Sequence, residues 1–161
     1  MKNFNRSMMT MSALAGILAI TACTNEAQAA PVDVTLGYEN NSATKGDENV
    51  DSVRAEIGTL NKNENVSYGI TTLVNDNSLR SYGVYAGLPM KVQGTKLTVE
   101  PRVSVEQYRE ESELVGSAGV GARYEIVPSF DVTARAMYSF DFDSDDNIGG
   151  ESYMVGLTKR F

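Results

Sequence analysis

The sequence predicts an all-β fold, an eight-stranded antiparallel up-and-down transmembrane β-barrel, and three observations carry that reading. Beyond residue 30, apolar residues recur at every second position, broken by clusters of Asn, Asp, Gly and Ser, and no stretch keeps a helical period for long. The two alternating frames differ in kind: one is aliphatic and aromatic, the other carries charges and glycines. A soluble barrel points its apolar frame inward, whereas a membrane barrel points it at lipid and fills its lumen with polar groups. Finally, three of the four odd-numbered connections are the longest in the chain, as a barrel with long loops at one membrane face requires.

The first segment places Val32, Val34, Leu36 and Tyr38 on the apolar frame, and the second Val53, Ala55 and Ile57. The third runs through Val66, Tyr68, Ile70, Thr72 and Val74, the fourth through Tyr82, Val84, Ala86 and Leu88, and the fifth through Leu97, Val99, Val103 and Val105. The sixth holds Ala118, Val120, Ala122, Tyr124 and Ile126. The seventh holds Phe130, Val132, Ala134, Ala136, Tyr138 and Phe140, and the eighth Tyr153, Val155, Leu157 and Phe161. The opposite frame carries Arg54, Glu56, Glu100, Arg102, Arg123, Glu125, Asp131 and Arg135, interleaved with Gly37, Gly58, Gly69, Gly83, Gly87, Gly119, Gly121 and Gly156.

The expected connections are 39–52, 61–65, 75–78, 89–96, 107–117, 127–129 and 142–150. The turn around Pro89, Met90 and Lys91 fits their alternation least well. Running the strands up and down sets Tyr38, Tyr82, Phe140 and Tyr153 near the outer rim and Tyr68, Tyr124, Phe130 and Phe161 near the inner rim. Those are two girdles of the kind that amphipathic rings form at membrane interfaces. Pro101, inside the fifth segment, cannot donate to a ladder, and a closed barrel has no free edge, so a bulge or bend is expected there.

Residues 1–29 read as a secretory signal peptide ahead of one domain, 30–161. Lys2 and Arg6 precede an apolar run from Met11 to Ala22 that is too short to span a bilayer as a helix, and Ala27-Gln28-Ala29 is an A-x-A cleavage site. Ile20-Thr21-Ala22-Cys23 offers a competing cut, because it resembles the lipobox of bacterial lipoproteins. With one cysteine in the chain, no intramolecular disulfide forms under either cut. Taking Lys2, Arg6 and Glu26 from totals of 14 basic and 21 acidic residues leaves 12 and 20, a formal charge of −8. Nucleic acid is therefore not an expected partner.

The last ten residues, Ser152 to Phe161, alternate polar and apolar through Tyr153, Val155, Leu157 and Phe161. They resemble the C-terminal signal by which bacterial outer-membrane proteins are recognised for assembly. Lys159 departs from it, at an outward position near the inner rim where a long cation can snorkel. With the leader and the eight segments, the chain resembles the small Gram-negative outer-membrane barrels typified by the OmpA membrane domain and OmpX. The resemblance implies an integral outer-membrane location, outer-membrane lipid and lipopolysaccharide as surroundings, and the barrel-assembly machinery as a partner. It is a resemblance of pattern and transfers no functional residue.

The inner charges, four arginines against Glu56, Glu100, Glu125 and Asp131, read in two ways. One is a polar path for ions or small solutes, porin-like and narrow. The other is a plug of paired charges, since an eight-stranded lumen is only wide enough to be filled by side chains and buried charges must be paired. The acidic loops also admit two readings. Asp141-x-Asp143-x-Asp145 matches the start of a calcium loop, but Asp146 stands where that loop needs Gly and Ser152 where it needs Glu, so the full pattern fails. What remains is a weak divalent-cation loop of Asp141, Asp143, Asp145 and Asp146, or a solvated, self-repelling one. With no histidine in the chain, a serine–histidine pair cannot be built, and neither catalysis nor a cofactor is expected. The leading expectation is thus a non-enzymatic barrel with a structural or surface-interaction role. The alternatives are a narrow channel and a soluble periplasmic barrel that binds a small ligand.

Overall fold

The computed structural model describes residues 31–42, 49–61, 65–75, 78–109, 113–142 and 150–161. The signal peptide, Cys23 and the acidic residues Asp47, Glu48, Glu110, Glu111, Asp143, Asp145 and Asp146 lie outside the described residues. The strands are β1 (Val32–Ser42), β2 (Asn49–Leu60), β3 (Ser67–Asn75), β4 (Ser78–Gly87), β5 (Met90–Lys91), β6 (Leu97–Tyr108), β7 (Leu114–Val127), β8 (Phe130–Asp141) and β9 (Gly150–Arg160). β5 continues β4 beyond Leu88 and Pro89, and both pair with β6, so the nine strands make eight staves. Every pairing is antiparallel, and β1 with β9 closes the barrel.

The register fixes the barrel's shape. A row of partners leaving β1 at Val32 passes through Thr59, Tyr68, Ala86, Val103, Ala118, Tyr138 and Glu151, and re-enters β1 at Ser42, ten residues along. Eight staves with that stagger tilt by about 40° and enclose a backbone cylinder of about 8 Å radius, given ordinary strand spacing and rise. Such a cylinder has room for side chains and little else.

The frames lie as expected. Ile70, Val84, Val155 and Leu157 on the apolar frame are each more than half exposed, while Arg54, Glu56, Glu100, Arg102, Asp131 and Arg135 are buried. That is the inverse of a soluble barrel, and the soluble alternative fails on it. The lumen is not wholly polar, however: Leu73, Met137 and Met154 are buried on its inner frame. Several lumen glycines are demanded by close approach. At Gly69 and Gly156 an added methyl would drive into the backbone of the neighbouring stave.

Three expectations change. The strands run further than their apolar residues, so the first connection contracts from 39–52 to 43–48 and the fifth from 107–117 to 109–113. The excess length of the odd-numbered connections shrinks with them. No bulge forms at Pro101: the register runs unbroken through Pro101 and Val120 on one side, and on the other Gly87 with Arg102 and Met90 with Val99 stay in phase. Leu88 donates to the Pro101 carbonyl at 2.9 Å, and the return bond that Pro101 cannot make falls where β4 gives way to β5. The register shifts lie elsewhere, at Leu73/Val74 and Glu125/Val127.

Candidate functional site

Alternation aims every second side chain of each stave at the barrel axis, and the slanted register stacks the lumen charges in three tiers. We call the end holding Val32 and Arg160 the terminal end and the opposite one the loop end. Nearest the loop end, Arg54 on β2 is gripped by Glu39 on β1 and Glu106 on β6, with Nη1 2.8 Å from Glu106 and Nη2 2.8 Å from Glu39. The same guanidinium donates to Thr71 Oγ1 at 2.6 Å, and Ser81 donates to Glu106 at 2.8 Å.

The middle tier turns on Glu56. Arg135 donates to both of its oxygens, at 2.6 and 2.7 Å, and Arg102 adds a third bond at 2.7 Å. Paired forks of this kind are the strongest hydrogen-bonding arrangement an arginine has. The Arg102 guanidinium also lies 3.5 Å from the centre of the Tyr85 ring. Tyr85 occupies space left open by Gly58, where an added methyl would overlap its hydroxyl. Towards the terminal end, Arg123 bridges Asp33 at 2.6 Å and Glu100 at 3.1 Å. Arg160 reaches Asp33 at 3.3 Å and Asp131 at 3.4 Å. A chain of hydroxyls, Thr35 to Thr158 to Thr133, with spacings of 2.7 and 2.6 Å, fills the gap between the lower two tiers.

The structure brings together seven of the eight lumen charges the sequence singles out. Glu125 is the exception. It sits at the mouth, its side chain 39 % exposed, 3.9 Å from Lys96, because its strand is ending and a register shift follows it. Asp33, Glu39, Tyr85, Glu106 and Arg160 also belong to the network, and the sequence reading passed over them. Asp33, Tyr85 and Arg160 share the inner frame by simple parity. Glu39 and Glu106 each stand one position past the last apolar residue of their segment, Tyr38 and Val105.

The space left in the lumen is small. A void towards the terminal end, lined by Asp33, Glu56, Tyr85, Glu100, Arg102 and Arg123, leaves about 20 Å³ of water-accessible volume. A second towards the loop end, lined by Glu39, Arg54, Tyr108 and Met137, leaves about 10 Å³. These are rooms for one or two waters each. Among the described residues no cluster of three acidic or sulfur ligands is placed to hold a metal ion, and three members of the proposed cation loop lie outside them.

A closed eight-stranded antiparallel barrel with an apolar exterior and a charged interior defines the class: this chain has the fold of the small transmembrane β-barrels. No family profile and no curated protein matches its sequence. Among solved structures it is similar to a de novo designed transmembrane β-barrel, with a TM-score of 0.62 at 16% identity over 84% of this chain and 99% of that one. It is similar to Neisserial surface protein A, with a TM-score of 0.58 at 13% identity over 81% and 96%. It is also similar to the outer membrane protein Ail of Yersinia pestis in a phospholipid bilayer nanodisc, with a TM-score of 0.51 at 15% identity over 83% and 100%.

Proposed function

We propose that the chain is an integral, non-enzymatic barrel of a bacterial outer membrane, its lumen closed by charge pairs, its loop end serving a structural or surface-interaction role. The observation that carries this reading is the Glu56 tier. Two arginines from β6 and β8 converge on one carboxylate from β2 and span the lumen, and the voids on either side hold only a water or two. The outer-membrane location is supported by the apolar exterior and by the fold shared with Ail and Neisserial surface protein A. In this reading the terminal end faces the periplasm, residues 1–29 are removed on export, and Tyr153, Val155, Leu157 and Phe161 serve assembly. An intact mass beginning at Ala30 would support that cut, and one beginning at a lipidated Cys23 would replace it.

The partner at the loop end is best sought among cationic or divalent-bridged surfaces. Asp51, Glu113, Asp141 and Glu151 stand there against Arg80 and Arg109, and the expected mature chain is acidic overall. One Ail structure is of a complex with the heparin analogue sucrose octasulfate, a polyanion; the charge here favours the opposite sign of partner. A narrow channel is the second reading, favoured by the stacking of the two voids along one axis. Purified protein in planar bilayers decides between them. The plug predicts electrical silence, and a steady discrete conductance would overturn it in favour of the channel.

A further inference from the structure

The alternation that makes the barrel's exterior apolar does not stop where the barrel does. Beyond Gly87 the outward positions continue through Leu88, Met90 and Val92, then return on β6 through Leu97 and Val99. Met90 pairs with Val99, whose other neighbour is Ala122, and Lys91 pairs with Thr98, whose other neighbour is Arg123. The hairpin therefore keeps the barrel's two frames in phase, apolar outward and polar inward. Val92 and Leu97 close it, and its tip, Gln93-Gly94-Thr95-Lys96, bends at Gly94, whose φ of +74° is the left-handed conformation that glycine adopts without strain.

The hairpin projects. Counting along the slanted register, Met90 stands level with Val32, Tyr124 and Phe130. Val92 and Ile126 then reach about 5 Å, and the tip about 10 Å, beyond that ring, at ordinary rise and tilt. Leu88 and Met90 are 54 % and 52 % exposed, the same as the lipid-facing Ile70 at 54 %. On β1 to β3 the outward apolar residues end at the ring itself, with Val32 and Val66. Among the described residues the apolar belt thus reaches furthest on the β4–β7 side.

We propose that the hairpin from Leu88 to Val99 is a membrane-contact element, with its apolar face seated in the headgroup–acyl boundary of the leaflet at the terminal end. The occupant is phospholipid and not a protein partner, because the face is an unbroken continuation of the lipid-facing frame, with no polar rim between them. The hairpin's polar frame, Lys91, Gln93, Lys96 and Thr98, turns towards the barrel mouth. Its seat leans the barrel towards β5. Pro89 and Pro101 flank the joint, where one ladder bond is missing, and this gives the hairpin latitude to follow the membrane surface.

The chain contains no tryptophan, so one introduced indole reports without background. Full-length protein would be refolded into phosphatidylcholine vesicles as Met90→Trp, Val92→Trp, Gln93→Trp and, as a reference on the exposed lipid face, Val155→Trp, with folding checked by heat-modifiable gel mobility. Met90→Trp and Val92→Trp should be quenched several-fold more by phospholipid brominated near the top of its acyl chain than by aqueous iodide. Gln93→Trp should show the reverse. Iodide quenching at all three hairpin positions would place the hairpin in water and overturn the proposal; protection of Met90→Trp and Val92→Trp from both quenchers would overturn it in favour of a contact between copies. Failure of Val155→Trp to quench with brominated lipid would instead overturn the membrane barrel itself. Should a hairpin variant fail to fold, Leu88→Trp repeats the reading one alternation nearer the barrel.

Discussion

Two sets of ion pairs in this barrel use the same chemistry and carry very different weight. The Glu56 tier sits deep in the lumen, with three arginine hydrogen bonds of 2.6–2.7 Å on one carboxylate. The Lys96–Glu125 pair sits at the mouth, 3.9 Å apart, with side chains 56 % and 39 % exposed. What separates them is water. Three charges away from solvent cannot be left singly, so each holds the others in place. At the mouth water solvates either charge almost as well as its partner does. The lumen therefore fixes geometry, while the rim only decorates it.

The largest effect should come from removing the shared carboxylate. Glu56→Ala leaves Arg102 and Arg135 buried with no full partner, and breaking a buried pair on one side costs about 3–5 kcal/mol. Urea unfolding of the vesicle-refolded protein should show its midpoint fall by the corresponding amount. An unchanged midpoint would mean that water reaches this tier freely, and the contrast with the rim would collapse.

A gentler break acts on the packing beneath the arginine. At Gly58 an added methyl would overlap the Tyr85 hydroxyl, while at Gly121, also on the lumen wall, nothing lies nearer than 3.8 Å. Gly58→Ala should cost about 1–3 kcal/mol through overpacking, because Tyr85 must leave its place below Arg102. Gly121→Ala should cost less than about 0.5 kcal/mol, as substitutions that meet no neighbour usually do. Equal losses in the two would show that glycine is needed for strand twist and not for room, and that the tier is not packed against Tyr85.

The sequence reading reached the barrel and its eight staves, because both follow from a period of two. It faltered where that period carries no apolar marker. Glu39 and Glu106 look like loop residues when a strand is judged to end with its last aliphatic, and yet in a membrane barrel the inner frame continues in charge. Tyr85 looks like a girdle aromatic until its parity is counted. Glu125 fails in the opposite direction: its parity is right, but parity gives direction and not depth, and the strand runs out beneath it. The partners of Pro101 were illegible for a related reason, since the gap that accommodates it lies on a different strand, at Leu88 and Pro89. Register between distant strands is written in their pairing and not in either strand alone.

The smallest expected effect lies at the mouth and isolates the role of water most cleanly. Lys96→Ala removes the only charge the structure sets against the Glu125 side chain within 4 Å among the described residues. An exposed pair at that separation is worth about 0–1 kcal/mol, with long side chains losing freedom to keep it and salt weakening it. The variant should unfold within about 0.5 kcal/mol of the parent, and the difference should vanish between low salt and about 1 M salt, where the screening length falls to about 3 Å. Under the same change of salt the loss in Glu56→Ala should persist, because mobile ions do not enter a lumen whose voids admit only a water or two. A salt-sensitive loss at Glu56 would show that ions do enter, and the closed lumen proposed above would have to be redrawn as an open one.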